Sequence, residues 1–350
     1  MATQNGFCYP SKAYSQSDKS VLTPLGFSLL RQLSDGAFHS GEDLAAQVGL
    51  TRARVSQVLK DAESAGLALE RIKGRGYRLL ETPDFLDAKA VRAALSERDG
   101  GPRLTVEVVD QLDSTSSELL RRAQKRDIHG VALAAEWQTA GRGRRGRTWT
   151  AIAGGSLTFS LGWGFEQGAG FLAGLSLAVG VAVARALEAE GFRGIALKWP
   201  NDIIHRHLKV GGILIEVNGD ALGPSTTVVG VGLNVRLPAI ARKDIAVPVT
   251  DLASIGGRGA KEIDRNHLLA TLIAELAAVL DRYAKEGFAP FAAEWQHRHA
   301  YQGKPVSLLL PDGAIVAGKV AGVDASGALV LADGPRRARF LSGEISLRRA

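Results

Sequence analysis

Gly141-Arg142-Gly143-Arg144-Arg145-Gly146-Arg147-Thr148-Trp149 places four arginines and three glycines in seven consecutive positions and ends on an indole. Glycine permits close backbone approach and leaves N–H groups open to an anion. Arginine adds rigid guanidinium forks that match carboxylates and phosphates. Like charges and glycine entropy predict a loop that is mobile until a polyanion folds it down. Taken alone, the stretch reads equally well as an anion-binding site loop and as its bland alternative, a solvated basic loop or an RNA-binding arginine tract. The flanks decide. Residues 131–136 (VALAAE) read as a short buried strand running into Trp137-Gln138-Thr139. Leu157, Phe159, Leu161 and Trp163 alternate with Thr158, Ser160 and Gly162, the period of a half-buried strand. A basic loop between two core strands is a site loop on a rigid scaffold.

The chain has 350 residues, enough for two or three domains with large cores, and its 45% apolar and 23% charged content is that of an ordinary globular protein. A single cysteine, Cys8, excludes a disulfide framework and a cysteine metal cluster. The first twenty residues are polar and read as a flexible tail without a signal peptide, and no apolar run reaches membrane-span length. The expected compartment is a reducing cytoplasm, with no membrane partner. A net charge of +7 fits an anionic partner without naming one.

Residues 21–82 carry a compact pattern. Pro24 opens a helix with Leu25, Phe27, Leu29, Leu30 and Leu33 inward, closed by Asp35-Gly36. Ser40 caps a second helix, with Asp43 three residues on. Thr51 caps a third, with Val55, Val58, Leu59 and Ala62 inside and Arg52, Arg54, Gln57 and Lys60 outside. A hairpin over 67–80 follows, with Lys73-Gly74-Arg75-Gly76 at its tip. Three helices and a basic hairpin describe a winged helix-turn-helix, and the basic tip favours DNA binding over a small helical cap. Arg52, Arg54, Gln57, Lys60, Lys73 and Arg75 are the candidate DNA contacts.

Thr82-Pro83 marks the boundary. Beyond it, residues 106–109 read as a strand, and Asp113-Ser114-Thr115-Ser116 as the cap of a helix from 118 to about 125. From spacing alone Ser114 and Thr115 are capping residues as readily as site residues. Residues 171–190 read as one long buried helix. Residues 195–198 form a short strand ending in Trp199-Pro200-Asn201-Asp202. Lys209-Val210-Gly211-Gly212 opens a strand over 213–217, and 226–235 gives another. Lys209 can be a surface lysine, Asp202 a turn residue, and His205 and His207, two apart in a polar loop, make poor metal ligands. Helices follow over 265–286 and about 288–297. From Pro305, short strands and tight turns predict a small β-barrel of about fifty residues.

Together these residues resemble the family of bifunctional biotin–protein ligases and biotin operon repressors, from about residue 22 to the C-terminus. The carrying motifs are G-R-G-R-R-G-R at 141–147, K-W-P-N-D at 198–202, K-V-G-G-I-L at 209–214, G-V-G-L-N at 230–234 and G-E-I-S-L-R at 343–348. Five motifs in one order are far more specific than any one alone. The resemblance implies an α+β multidomain chain: a flexible tail at 1–20, a winged helix-turn-helix at 21–82, a mixed α/β, class II synthetase-like catalytic domain at 83–300, and an SH3-like β-barrel at 301–350. It implies biotin and ATP as substrates, Mg²⁺, and biotinyl-5′-AMP as intermediate. The implied partners are a biotin carboxyl carrier domain, operator DNA, and a second copy of the chain when the adenylate is bound.

By the same likeness, Ser114, Thr115, Ser116, Gln138, Gly141, Arg142, Gly143, Arg144, Lys209 and Gly212 bind biotin. Arg144, Trp149, Lys198, Asn201, Asp202 and Asn234 frame the nucleotide, and Lys209 and Arg144 are catalytic. Ser-Thr-Ser stands at 114–116 where many relatives have Ser-Thr-Asn. The alternatives from other classes are a lipoate–protein ligase and a metabolite-sensing repressor without ligase activity; the glycine- and arginine-rich loop favours biotin.

Overall fold

The computed structural model describes residues 23–347 apart from 65–66, 81–82, 99–103, 221, 239–241, 243–244, 246 and 257–262. The polar tail expected at 1–20 lies outside the described residues. The chain divides into two compact units, Met1–Glu81 and Thr82–Ala350.

In the first unit, α1 (Pro24–Gln32), α2 (Gly41–Val48) and α3 (Arg52–Ser64) precede an antiparallel hairpin of β1 (Leu69–Ile72) and β2 (Gly76–Leu79). The local chemistry places each start. Thr23 caps α1 with proline in its first turn, Ser40 accepts from Asp43 N, and Thr51 accepts from Arg54 N. Phe27, Leu29, Leu30, Leu33, Leu44, Val55, Leu59 and Ala62 close the core.

The second unit is built on a seven-stranded sheet in the order β3-β4-β5-β9-β8-β7-β6. Its strands are β3 (Thr105–Leu112), β4 (Val131–Gln138), β5 (Ser156–Phe165), β6 (Ile195–Lys198), β7 (Asp202–His205), β8 (Leu208–Gly219) and β9 (Ser225–Asn234). Only β3 and β4 run parallel, because a helix crosses between them; the other neighbours are antiparallel. Val91, Val183, Leu272 and Trp295, each from a different helix, pack into the core that holds Leu157, Phe159 and Leu161. After α4 (Ala88–Ser96) and the crossover helix α5 (Thr115–Ala123) come α6 (Leu175–Ala189), a short α7 (Leu252–Ile255), α8 (Arg265–Glu286) and α9 (Ala289–Arg298). Each large side chain buried there contributes about 1.5–3 kcal/mol.

The last strands, β10 (Pro305–Leu309), β11 (Ile315–Val323), β12 (Leu329–Asp333), β13 (Arg336–Phe340) and β14 (Glu344–Leu347), form an antiparallel sheet in the order β13-β12-β11-β10-β14. Val306, Leu308, Leu329 and Ile345 join the same core as the larger sheet. Trp199 Nε1 donates to Gly327 O across that junction, 3.1 Å away.

Three expectations need correction. The helix expected from 118 begins at Thr115, because Ser114 takes the cap position and accepts from Ser117 N. The helix expected over 171–190 is broken: a 3₁₀ turn spans Ala169–Leu172, and α6 starts only at Leu175. The break sits at Gly174, whose φ of 84° and whose packing against Phe288 exclude a side chain. The strand expected over 213–217 runs the full length of β8, so Lys209 and Gly212 lie inside the sheet.

Among the described residues, no helix is long and apolar enough to cross a membrane.

Candidate active site

The site lies where β4, β5, β8 and β9 meet the N-terminus of α5 and the arginine-rich loop. Gln138, the last residue of β4, accepts from Thr115 N at 2.7 Å. Thr115 Oγ1 and Ser116 Oγ lie 2.7 and 3.0 Å from Ser160 Oγ on β5. Ser114, Thr115, Ser116, Gln138 and Ser160 are all buried. Thr115, Ser116, Ser160 and the Gln138 amide form a connected polar floor, while the Ser114 hydroxyl accepts from Ser117 N. A Cβ at Gly230 would stand 2.6 Å from Ser116 Oγ, so glycine there leaves the floor its room.

The loop closes on itself. Trp149 N donates to Gly141 O at 2.9 Å, Gly143 N to Arg147 O at 2.7 Å, and Arg145 takes a left-handed φ of 57° between them. A Cβ at Gly141 would meet Trp149 O at 2.3 Å, which is why this crossing needs glycine. The arginines then diverge. Arg142 pairs with Glu216 on β8 at 2.8 Å, Arg144 Nη1 donates to Asn201 Oδ1 at 3.3 Å, and Arg147 makes a two-pronged pair with Glu344 on β14. Burial, reinforced by the neighbouring Arg145, presses the Arg144 pKa below its ordinary value. The Arg147 guanidinium holds the Glu344 carboxyl below the usual glutamate range.

Opposite the loop stands a triad of charge. Asp202 receives Lys209 Nζ at 2.5 Å on one oxygen and Lys198 Nζ at 3.4 Å on the other. The β6–β7 hairpin pairs Lys198 with Asp202, and the β7–β8 register sets Asp202 beside Gly212. A Cβ at Gly212 would touch the Lys209 side chain at 3.4 Å. Asn201 donates to Ile213 O at 2.7 Å and fixes the turn. Asn234, buried at the end of β9, spends its amide on Thr250 O and Lys209 O and so braces the backbone that carries Lys209. The Trp149 indole lies over Gly232, where a Cβ would come within 2.4 Å of the ring.

The structure therefore brings both groups of expected site residues to one place. Ser160, Glu216 and Glu344 join them, though sequence reading left them out. Ser160 falls on the polar face of the β5 alternation, opposite Leu157, Phe159 and Leu161, so periodicity alone reads it as an outward residue. The glutamates carry no signal, because their partners are 74 and 197 residues away.

No group of three or more His, Cys, Asp or Glu able to hold a metal occurs among the described residues. His205 leans on Gly194 O and His207 stacks on Tyr301. These residues do not build a cage for a divalent ion; Mg²⁺ characteristically keeps substrate phosphates and waters as ligands.

In the first unit, Arg52, Arg54, Gln57 and Lys60 lie exposed on α3, with Arg52 paired to Glu42 at 2.9 Å and Gln57 bonded to Asp61. Lys73 and Arg75 lie exposed at the hairpin tip, and the Arg75 guanidinium sits 4.3 Å over the Phe38 ring.

Comparison with known proteins agrees with this geometry. Residues 108–234 match the biotin/lipoate A/B protein ligase family, and residues 301–348 match the biotin protein ligase C terminal domain. The bifunctional ligase/repressor BirA of Escherichia coli (strain K12) is 35% identical over 322 residues, covering 92% of this chain and 97% of that protein. A biotin--[acetyl-CoA-carboxylase] ligase of Mycobacterium tuberculosis is 35% identical over 74% of this chain and 95% of its own length. Among solved structures, the biotin protein ligase of Aquifex aeolicus in complex with biotin and ATP aligns with a TM-score of 0.58 and 30% identity, covering 70% of this chain and 99% of that one. The chain belongs to the biotin/lipoate A/B protein ligase family, in the group of the bifunctional ligase/repressors.

Proposed function

We propose that this chain attaches biotin to a lysine of a biotin carboxyl carrier domain in two steps. The biotin carboxylate attacks the α-phosphorus of ATP, forming biotinyl-5′-AMP and releasing pyrophosphate. The carrier lysine amine then attacks the acyl carbon, the carbon–nitrogen bond forms, and AMP leaves with the electrons of the broken mixed anhydride. One observation carries the reading most: the sheet that bears the buried polar floor of Thr115, Ser116, Gln138 and Ser160 also brings Arg144 and Lys209 together on the adjacent residues Asn201 and Asp202. That is what an uncharged bicyclic ring, its carboxylate and a triphosphate jointly require.

The Thr115, Ser116 and Gln138 group holds the ureido end, with Ser114 capping the helix that presents it. Gly141 and Gly143 let the loop backbone reach the ligand, while Arg142 and Arg144 neutralise the carboxylate and phosphate. Lys209, beside Gly212, faces the carboxylate and α-phosphate, where charge grows in the transition state. Trp149 offers its face to adenine; Lys198, Asn201 and Asp202 frame the nucleotide, and Asn234 supports the strand beneath. Mg²⁺ bound with ATP would supply charge neutralisation of the phosphates, and no residue here is assigned to hold it.

The first unit is read as a winged helix-turn-helix at 21–82, with α3 in a major groove and the β1–β2 tip on the backbone. Residues 83–300 are the catalytic domain and 301–350 an SH3-like barrel. Six contact residues are few for specific binding, and two-fold dimers supply a second set. Biotinyl-AMP, more than biotin, then promotes dimerisation and binding to an inverted repeat, and apo-carrier competes for the same face. Equal operator occupancy with and without adenylate contradicts this arm.

ATP–pyrophosphate exchange, run with biotin and with lipoate, tests the catalytic reading. Exchange with biotin supports it. Exchange with lipoate alone makes the chain a lipoate ligase, and exchange with neither leaves a metabolite-sensing repressor.

A further inference from the structure

Arg265 opens α8, yet a cation at a helix N-terminus opposes the helix dipole. Its position is explained by what it holds. Arg265 and Glu136 are 2% and 0% exposed and meet in a two-pronged pair, with Nη2 to Oε2 at 3.0 Å and Nη1 to Oε1 at 3.2 Å. Glu136 sits on β4, two residues before Gln138.

The pair reaches into two further segments. Toward the start of the second unit, Leu86 N donates to Glu136, Arg265 N donates to Asp84 Oδ2 at 2.8 Å, and the Arg265 guanidinium donates to Asp84 O. Asn266 adds bonds to Asp87 N and Phe85 O. Toward the site, Gly154 N donates to Glu136 Oε2 at 3.2 Å, and the Arg265 guanidinium donates to Ser156 O. The two segments also touch directly: a Cβ on Gly154, whose φ is 69°, would lie 2.2 Å from Pro83 Cβ.

The Gly154 turn leads onward to the reacting groups. It joins the arginine-rich loop to β5, and Gly155 O accepts from Val235 N and Arg236 N at 3.0 and 2.8 Å. Asn234, the next residue back, bonds to Lys209 O. A continuous path of packed and hydrogen-bonded groups thus runs from residues 83–87, through the buried pair and the Gly154 turn, to the strands that carry Gln138 and Lys209.

We propose that the Glu136–Arg265 pair and the Gly154 turn form a positioning clasp, through which the segment just past the unit boundary sets the geometry of the ligand site. None of these residues touches the substrates. The clasp acts by holding β4, the end of the arginine-rich loop and β9 in one register, and it rests on the ligase reading only for its kinetic consequence. Perturbing the clasp at one end and reading the other tests it.

The perturbation is Asp84→Ala, which removes an acceptor on the entry segment and leaves Glu136 and Arg265 in place; Glu136→Gln perturbs the centre. In the full-length protein, Asp84→Ala is expected to raise the KM for biotin about fivefold with kcat nearly unchanged. It should also speed amide exchange at Gly154 about tenfold without ligand, while mid-α8 amides stay protected. Glu136→Gln should do both more strongly. If Glu136→Gln does not fold, Asp84→Ala decides alone. A purely structural pair would lower the melting temperature while leaving both KM and Gly154 exchange as in the parent, and that result overturns the clasp. If the parent itself shows no biotin-dependent pyrophosphate exchange, the ligase reading fails, and Gly154 exchange in Asp84→Ala still decides the clasp.

Discussion

Lys209 Nζ and Asp202 Oδ1 lie 2.5 Å apart, with Lys198 on the other oxygen of the same carboxylate. The lysine charge is thus stored against one internal anion and is available to exchange it for an incoming one. In the proposed mechanism Asp202 would keep Lys198 as partner when Lys209 turns to the substrate, so no carboxylate would be left without a cation.

Lys209→Met removes that charge while keeping much of the side-chain volume. Biotin binding is expected to weaken little, whereas single-turnover adenylate formation at saturating biotin and ATP should fall about a hundredfold or more. An unchanged rate removes Lys209 from the mechanism.

Arg144→Ala leaves Asn201 its bond to Ile213 O, and the fold should persist. Losing a charge-assisted contact to the adenylate should cost about 1.5–3 kcal/mol, roughly ten- to hundredfold faster release of biotinyl-AMP. Dissociation measured in a pulse–chase at the parent rate refutes the contact.

Gly232→Ala tests the indole platform. The new methyl displaces Trp149, and the KM for ATP is expected to rise about tenfold, the order of one lost base–aromatic stack. Biotin affinity should change less. An unaltered KM for ATP means Trp149 does not stack on the nucleotide.

Arg54→Glu with Lys60→Glu places two carboxylates on the exposed face of α3. Operator binding is expected to vanish at low salt while biotin ligation is retained. Ligation lost together with DNA binding would show that these residues serve the fold and not a DNA surface.

His299 gives a pH test. Burial, with the ring stacked 4.6 Å from Trp295, pushes its pKa from 6.5 down to about 4. The folded state keeps this ring neutral while the unfolded chain gains a proton as pH falls through 6.5. Its contribution is therefore complete above 6.5 and is lost progressively between 6.5 and about 4, by about 3 kcal/mol in all. Between pH 7 and 5, His299→Phe should lose about 2 kcal/mol less stability than the parent in denaturant titrations. Equal losses would contradict the assignment.

Periodicity and caps made most of the fold legible. The alternation from Leu157 to Trp163 placed β5, and Ser40, Thr51 and Pro24 marked helix starts through interactions within four residues. Where a boundary depended on distant packing, local reading slipped: nothing near Gly174 shows that Phe288 will press on it. The site followed the same division. The arginine-rich loop and the Lys198–Asp202 stretch announce themselves because their chemistry is contiguous. Ser160 beneath Thr115, Arg147 on Glu344, and above all the Glu136–Arg265 pair need the sheet assembled before either partner means anything.

The central claim is that one cleft activates the biotin carboxylate on ATP. Biotin-dependent exchange of labelled pyrophosphate into ATP by the purified full-length chain tests it most directly. Exchange that requires biotin, is not supported by lipoate and collapses in Lys209→Met is the expected result. Exchange absent with biotin, or indifferent to Lys209, would contradict the account.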